Sequence, residues 1–325
     1  IDIHIHGGAG HDVMEGDAHA LAAVERLLAS HGVTSYCPTT VTAPLDQTLV
    51  ALEKLSAAVE SPPAEARARP LGVHLEGPFI SHAKRGVHPP AYIKDGSVEL
   101  FQQFWQAARG NVAVMTIAPE IPGAPQLIAH AAGRGVCVSI GHSDADFDDT
   151  IRAISEGARH ATHTFNAMRP LDHRQPGILG VVLADSRLTA DIIADGIHVH
   201  PEIVELFLRS KGAENAVLIT DAISATGMGD GRFRLGSLEV EVRGGRCELE
   251  GKLAGSVLTM DRAVRNCTVF ARCSLQQSVR MATLNPARVL GISHRKGILQ
   301  PGADADLVVL SAEGEVVRTI VGGVI

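Results

Sequence analysis

The stretch Leu71-Gly72-Val73-His74-Leu75-Glu76-Gly77-Pro78-Phe79 decides how this chain is interpreted. An apolar run that stops abruptly at Gly-Pro predicts a buried strand followed by a turn. Glu76 is therefore expected at the carboxyl end of a strand. A carboxylate there either has a structural role or holds a cation, and the rest of the sequence must decide between these roles.

Strand-like and helix-like segments alternate along most of the chain, which is typical of βαβ units and a parallel sheet. Eight strands in about 220 residues predict an α/β fold of the (β/α)8 TIM barrel type, which typically takes ~250 residues. A doubly wound open sheet is the alternative, but no G-x-G-x-x-G follows the first strand. The predicted strands cover residues 1–5, 33–37, 72–75, 112–117, 136–140, 159–162, 188–193 and 217–220. Amphipathic helices are predicted at 18–30, 45–59, 98–108, 126–133, 146–156 and 201–211.

The pattern changes after residue 221. Short alternating runs at 233–242, 245–249 and 252–254 predict β-hairpins inserted after the eighth strand, and helical segments at 257–271, 275–282 and 286–290 would complete the outer ring. Strands at 307–310 and 316–321 have no helix between them. We therefore predict a barrel domain over 1–296 with a hairpin insertion at about 231–254, and a small, incomplete β appendage over 297–325.

Composition excludes several classes of function. Hydrophobic residues make up 45% of the 325 residues and charged residues 20%, and the formal net charge of −7 argues against general binding to nucleic acid or to anionic membranes. Five scattered cysteines without a C-x-x-C pair predict neither a disulfide framework nor a thiolate zinc site, so a cytoplasmic location is expected.

Polar side chains cluster where the predicted strands end, and the carboxyl ends of the strands are where TIM barrels carry their active sites. His4 and His6 are two residues apart on one strand, so both imidazoles share one face. A single histidine after a strand is more often a hydrogen-bonded turn residue, but four histidines and a carboxylate at one end predict a metal site. The residues are His4, His6, Glu76, His142 and His163, with Asp221 after the eighth strand.

Nitrogen and carboxylate ligands without thiolates suit Zn, Fe, Co or Mn rather than Ca or Mg. Such a metal activates water and polarises a carbonyl, so hydrolysis is the natural chemistry. Asp221 is placed to take a proton from the attacking water and return it to a leaving group. Its alternative roles are a further metal ligand or a helix N-cap.

Several motifs, in order along the chain, together resemble the N-acetylglucosamine-6-phosphate deacetylases of the amidohydrolase superfamily. The resemblance extends from residue 1 to about residue 325. The motifs are HLEGPF at 74–79, GVHP at 86–89, GHS at 141–143, THTFNAM at 162–168, DGIH at 195–198, TDA at 220–222, GSVLTM at 255–260 and GADADLV at 302–308.

The resemblance implies hydrolysis of a linear amide, the acetamide of N-acetyl-D-glucosamine 6-phosphate, to D-glucosamine 6-phosphate and acetate. It implies one or two divalent metals, with Zn favoured over Fe, Co or Mn, and Asp221 as general base and then acid. The implied ligands are Glu76, His142 and His163 for the principal metal, and His4 and His6 for the second metal of some members. Glu76 is then the one candidate carboxylate to bridge two cations.

The resemblance also implies a substrate-binding set. His88 would polarise the acetyl carbonyl, backbone around Asn166 and Ala167 would hold the sugar, and His198 with Arg174 would receive the phosphate. In family dimers this arginine reaches the neighbouring site, which implies a homodimer. The full set is His88, Asn166, Ala167, Arg174, His198 and Leu258. No role is assigned to His173.

The sequence departs from the family in two respects. One is His173, which stands where no residue of assignable role is expected; the other is that the family's small β domain takes its first strands from residues that precede the barrel, and this sequence has none. Without them the strands at 307–310 and 316–321 would expose unpaired edges and an apolar face. We therefore expect an amino-terminal segment before residue 1.

Three alternatives stay open at this point. A cyclic-amide hydrolase would place a carboxylated lysine after the fourth strand, but residues 112–120 contain no lysine. A non-catalytic metal-binding or scaffold protein is the second, and Asp221 beside the predicted ligands argues against it. The galactosamine epimer is the third, because no motif names a partner for the hydroxyl that distinguishes it from glucosamine.

Overall fold

Eight parallel strands form a closed ring in the computed structural model, which describes residues 1–61 and 65–324. The first six strands pair in chain order, and the seventh pairs with the eighth. The N–H of Thr164 donates to the carbonyl of Asp191, and the N–H of Asp221 donates to the carbonyl of His4, so the two groups of strands join at both edges. The predicted barrel is confirmed. The strands are β1 (Asp2–Ile5), β2 (Ser35–Thr40), β3 (Val73–Glu76), β4 (Val112–Ile117), β5 (Cys137–Ile140), β6 (His160–Ala161), β7 (Ala190–Ile193) and β8 (Ala216–Ile219).

Helices surround the ring, and several begin at side-chain caps that satisfy the free N–H groups of the first turn. Asp17 caps the helix that begins at Ala18, and Ser274 forms a capping box with Gln277 at the start of the helix that begins at Leu275. The helices are α1 (Ala18–Ser30), α2 (Leu45–Glu60), α3 (Val98–Ala107), α4 (Ala124–Ala132), α5 (Phe147–Glu156), α6 (Gly177–Ala184), α7 (Pro201–Lys211), α8 (Met260–Phe270), α9 (Leu275–Ala282) and α10 (Leu284–Val289). None of the helices in residues 1–61 and 65–324 is long and apolar enough to cross a membrane.

Helix α6 is absent from the sequence prediction. Its sequence, GILGVVLA, is apolar on every side, so it shows no helical alternation of apolar and polar residues. Burial of most of the helix against the barrel explains this composition, since Ile178, Leu179, Val181 and Val182 are all buried.

An antiparallel sheet follows β8 and lies over the carboxyl ends of the barrel strands. Its apolar side chains pack with Ile223 and Ala225 in a small separate core, and Leu235, Lys252 and Leu253 line the cavity beneath it. The sheet strands are β9 (Gly231–Leu235), β10 (Leu238–Arg243), β11 (Arg246–Leu249) and β12 (Lys252–Leu253).

The chain ends in an antiparallel pair, β13 (Leu307–Leu310) and β14 (Val316–Ile320). Val309 and Val317 of this pair are exposed. The division into 1–296 and 297–325 stays a prediction, and residue 325 lies outside the described residues. Three 3-10 turns (Val13–Glu15, His82–Lys84, Pro90–Tyr92) and three two-residue strands (Gly7–Gly8, His11–Asp12, Arg69–Pro70) complete the elements.

Candidate metal centre

The predicted ligands stand where barrel strands end in tight turns. Glu76 is the last residue of β3, while His142, His163 and Asp221 follow β5, β6 and β8 with φ angles of 47°, 30° and 49°. Left-handed backbone is unfavourable for residues other than glycine and persists where the surrounding structure enforces it. Gly77 also has a positive φ, and a Cβ there would overlap the Thr42 hydroxyl, so only glycine fits directly after Glu76. The turns stop each strand and leave its last side chain over the barrel mouth.

Glu76, His142 and His163 form one buried triad. Oε1 of Glu76 lies 3.2 Å from Nε2 of His142 and 3.0 Å from Nε2 of His163, and the two Nε2 atoms are 3.1 Å apart. Burial lowers the pKa of His142 to about 4, which Glu76 only partly opposes, so this imidazole is neutral and offers a lone pair.

His4, His6 and Asp221 form a second buried triad. Nε2 of His6 lies 3.2 Å from Oδ1 of Asp221 and 3.2 Å from Nε2 of His4, while Nε2 of His4 lies 3.5 Å from Oδ1 of Asp221. The histidines come from β1 and the aspartate from the turn after β8, so closure of the barrel builds this triad.

The Glu76 carboxylate contacts both triads. Oε2 lies 3.1 Å from Nε2 of His6, and Oε1 lies 3.4 Å from Nε2 of His4 as well as near the two histidines of its own triad. One carboxylate therefore lies within hydrogen-bonding or ligating range of four imidazoles.

Electrostatics keeps both carboxylates of the centre ionised. Burial raises the pKa of Glu76, but the imidazoles, with His4 the largest, outweigh burial and hold that pKa well below its ordinary value. Burial likewise raises the pKa of Asp221, whereas His4 and His6 lower it to about 2. Burial lowers the pKa of His163, but Glu76 and Asp221 raise it to about 9. Binding a cation would release such protons, because a ligating imidazole must be neutral.

The donor set fits a divalent transition metal. All six groups are buried, and in each triad the imidazole nitrogens and carboxylate oxygens lie within 4.8 Å of one another, which is the donor chemistry that such a metal prefers. Two imidazoles also have the outer partners typical of metal ligands, since Nδ1 of His142 donates to the carbonyl of Lys84 at 2.9 Å and Nδ1 of His6 to that of Thr39 at 3.0 Å. The two triads are consistent with a binuclear metal site.

A cavity of about 570 Å³ opens above the centre, and four predicted substrate residues line it: His88, Asn166, Ala167 and His198. Nδ1 of His88 accepts the N–H of Thr42 at 3.3 Å and lies 2.8 Å from the Thr42 hydroxyl, so Nε2 carries the ring proton. That Nε2 lies 3.6 Å from Oε2 of Glu76, beside the metal centre. Nδ1 of His198 donates to Asp195 at 2.7 Å, which fixes the His198 ring on the cavity wall.

Two predicted substrate residues lie elsewhere. Leu258 does not line the cavity, because the Ser256 hydroxyl accepts the N–H of Leu258 and donates to the carbonyl of Thr220, which turns the segment into the core. Leu258 is buried in the barrel core, and its role in substrate binding stays a prediction. Arg174 lies on an exposed loop outside the cavity of its own chain, as does His173 beside it.

Three cations on the cavity wall escaped the sequence reasoning: Lys84, Arg85 and Lys252. The first two precede His88 in a loop, and the third comes from the inserted sheet. Only the adjacency of Lys84 and Arg85 to the GVHP motif could have indicated them, and nothing in the local sequence marks Lys252.

Comparison with known proteins finds similar sequences and structures over the whole chain. The sequence model of the amidohydrolase family matches residues 1–325. An N-acetylglucosamine-6-phosphate deacetylase of Bacillus subtilis (strain 168) is 40% identical over 327 residues, covering 99% of this chain and 82% of the relative. An N-acetylgalactosamine-6-phosphate deacetylase of Escherichia coli O157:H7 is 39% identical over 313 residues, covering 96% and 82%.

Among solved structures, an aspartate-to-alanine mutant of the N-acetyl-D-glucosamine-6-phosphate deacetylase from Mycobacterium smegmatis, in complex with N-acetyl-D-glucosamine-6-phosphate, has a TM-score of 0.94 and 37% identity to this chain. The match covers 100% of this chain and 84% of that one.

Metal content tests whether Glu76 serves both triads. With excess Zn²⁺ followed by gel filtration, elemental analysis of the wild-type protein is expected to find one ion for each of the two triads. Glu76→Gln removes the charge shared by both triads and is expected to lose both ions, whereas His142→Ala should lose only one.

His173→Ala, at an exposed position, is the matched control and should retain both ions. Loss of a single ion from both Glu76→Gln and His142→Ala would mean that Glu76 serves only one triad.

Proposed function

The chain belongs to the N-acetylglucosamine-6-phosphate deacetylases of the amidohydrolase family, and we propose how its two triads and cavity carry out that reaction. The enzyme hydrolyses the acetamide of N-acetyl-D-glucosamine 6-phosphate to D-glucosamine 6-phosphate and acetate. The observation that supports the residue roles best is the position of Asp221, an ionised carboxylate held against the imidazoles of the centre at the floor of the cavity.

Zn²⁺ is the proposed occupant of both triads, with Fe, Co and Mn compatible with the same donors. Glu76, His142 and His163 would hold one ion, and His4 and His6 would hold the other. A bound divalent metal supplies Lewis acidity that activates water and polarises a carbonyl. Glu76 would bridge the two ions, because its Oε1 lies beside His142 and His163 and its Oε2 lies beside His6.

Asp221 is the proposed general base and then general acid. It takes one proton as the water oxygen attacks the acetyl carbonyl carbon, and it gives that proton to the sugar nitrogen as the C–N bond breaks. The products are the free amine and acetic acid, whose carboxyl proton, the second proton of the water, passes to the amine or to solvent and leaves acetate. Its backbone supports the role, since its N–H donates to the carbonyl of His4 at 3.0 Å and its carbonyl accepts the N–H of Ser256 at 2.7 Å. These bonds fix the backbone from which the carboxylate extends.

His88 is proposed to donate a hydrogen bond to the acetyl carbonyl oxygen. Its tautomer is set by Thr42, so the Nε2 proton is available on the side of the metal centre. A donor aimed at an oxygen that gains negative charge stabilises the transition state more than the ground state.

The sugar and its phosphate are proposed to lie along the cavity wall. The backbone around Asn166 and Ala167 would hold the sugar, and His198 would meet the phosphate. The cavity cations, among them Arg85 and Lys252, favour a dianionic substrate in a chain whose net charge is −7.

Arg174 would complete the phosphate site of a second subunit, so we propose a homodimer. Its exposed position outside its own cavity supports a role in trans. A guanidinium suits this role, because it binds phosphate through two parallel hydrogen bonds.

N-Acetyl-D-galactosamine 6-phosphate is the second candidate substrate, favoured by the similarity to the Escherichia coli relative. The two candidates are epimers, so initial rates of acetate release from both 6-phosphates at equal concentration decide between them. A higher kcat/KM for the glucosamine compound supports the first assignment, and a higher value for the galactosamine compound supports the second.

Replacement of the proposed base tests the mechanism. Asp221→Asn should lower kcat for acetate release by roughly 10²- to 10⁴-fold, because the amide cannot take the proton from water. The ion held by Glu76, His142 and His163 should remain, as checked by elemental analysis.

Asp46→Asn, at an exposed position in the first turn of α2, is the control and should keep wild-type turnover. Turnover close to wild type in Asp221→Asn would refute the assignment of the base.

Arg174→Ala tests the phosphate site. The variant should raise KM for the phosphorylated sugar far more than for its unphosphorylated analogue, because only the former loses a charged contact. Arg152→Ala, an exposed arginine on α5, should change neither value. An equal effect on both substrates would mean that the phosphate is held elsewhere.

Mixing the Arg174→Ala and Asp221→Asn variants tests whether Arg174 acts in the active site of the partner subunit. In a mixed dimer of Arg174→Ala and Asp221→Asn, one site has both an intact base and the partner's arginine. With free subunit exchange, roughly a quarter of wild-type activity should return. Activity no higher than the sum of the separate variants would place the arginine in its own subunit's site or outside both sites.

A further inference from the structure

Two of the four imidazoles in the centre lack the outer hydrogen bond that usually orients a metal-binding histidine. Nδ1 of His142 and Nδ1 of His6 each meet a backbone carbonyl. Nδ1 of His4 and Nδ1 of His163 are buried and have no hydrogen-bond partner among residues 1–61 and 65–324. Because metal ligands are normally held through that second nitrogen, these two rings must be oriented in another way.

The backbone of His163 is held by one buried carboxylate, that of Asp191 on β7. Oδ1 of Asp191 accepts the N–H of His163, and the carbonyl of Asp191 accepts the N–H of Thr164 at 2.9 Å. Oδ2 lies 3.0 Å from Nε2 of His160, whose Nδ1 lies 2.7 Å from the Thr189 hydroxyl. Asp191 is 1% exposed and does not line the cavity, so it acts on the site only through its neighbours.

The conformation of His163 requires such a restraint. Its φ of 30° lies in the left-handed region, which a β-carbon makes unfavourable. Side-chain acceptors that take up the free N–H at a strand end replace the ladder hydrogen bond that the turn breaks. Without the acceptor on Asp191, the His163 backbone would be free to relax toward extended values, and its Nε2 would leave the position 3.0 Å from Glu76.

We propose that Asp191 is a positioning residue for the metal centre. Its carboxylate restrains the strained turn at His163 and thereby orients the His163 imidazole, whose Nδ1 has no hydrogen-bond partner in the described residues. The inference rests on the proposed metal centre and goes beyond it, since Asp191 belongs to neither triad. A parallel arrangement exists at the other unsupported ring, where the N–H of His4 donates to Oδ1 of the buried Asp2 at 3.3 Å.

Metal affinity, measured separately for the two ions, tests the proposal. Metal-stripped proteins are titrated with Zn²⁺ against a chromophoric chelator, and thermal unfolding of the stripped proteins is followed by circular dichroism. Asp191→Ala should weaken one of the two ions by roughly 10- to 100-fold and leave the other unchanged. Asp191→Asn keeps an oxygen for the His163 N–H and should retain most of the affinity.

Asn285→Ala is the matched control. Asn285 is buried, and its amide donates to the carbonyls of Ala213 at 2.7 Å and Ala216 at 2.6 Å, at the start of β8 and remote from the centre. Its loss should lower the unfolding temperature without changing either Zn²⁺ affinity. If Asp191→Ala does not fold, Asp191→Ser, whose hydroxyl is too short to reach the His163 N–H, is measured with the same expectation.

The outcomes separate the inference from the proposed function. Unchanged affinity for both ions in a destabilised Asp191→Ala or Asp191→Ser protein would overturn the positioning role, as would equal weakening of both ions. An Asp191→Asn protein as weak as Asp191→Ala would also overturn it, because the acceptor would then be irrelevant. A wild-type protein that holds no Zn²⁺ would refute the metal centre itself.

Discussion

The contact between the Glu76 carboxylate and four imidazoles is the interaction on which the rest of the structure depends. A buried carboxylate costs several kcal/mol unless charge or hydrogen bonds compensate it. Here Nε2 atoms from both triads surround it at 3.0 to 3.4 Å. The same contact keeps Glu76 ionised and places it between two groups of metal donors.

The barrel positions the side chains that make this contact. Four strands end at the same face in turns whose backbone conformation is held by the surrounding structure, and the buried polar residues beneath them are hydrogen-bonded to one another. Burial first, and the neighbouring His4 second, keep the pKa of His74 well below its ordinary value, so this ring is neutral. Its Nδ1 donates to the Ile3 carbonyl at 2.9 Å, so its Nε2 accepts from the Thr116 hydroxyl at 2.8 Å. The Thr116 hydroxyl also contacts the Thr162 hydroxyl, which contacts that of Ser139. A satisfied polar layer of this kind fixes the ligands without introducing a further buried charge.

The barrel and the residues of both triads could be predicted from the sequence, because strand periodicity and strand ends are local properties. The sequence prediction missed α6, whose apolar sequence has no helical alternation. It assigned Leu258 to the substrate-binding set, a role that stays a prediction for a side chain buried in the barrel core. Asp191 and Lys252 were also missed. Their positions depend on which strand or hairpin comes to lie beside the site, and that is a property of the closed fold rather than of any local pattern.

Anomalous diffraction from crystals grown with Zn²⁺ locates the ions relative to Glu76 and so tests whether this carboxylate joins them. We expect two anomalous peaks, one beside each triad, with one Glu76 oxygen within about 2.0 to 2.2 Å of each ion. A single peak at saturating Zn²⁺, or a Glu76 side chain turned away from both peaks, would contradict the claim that this carboxylate joins the two halves of the site.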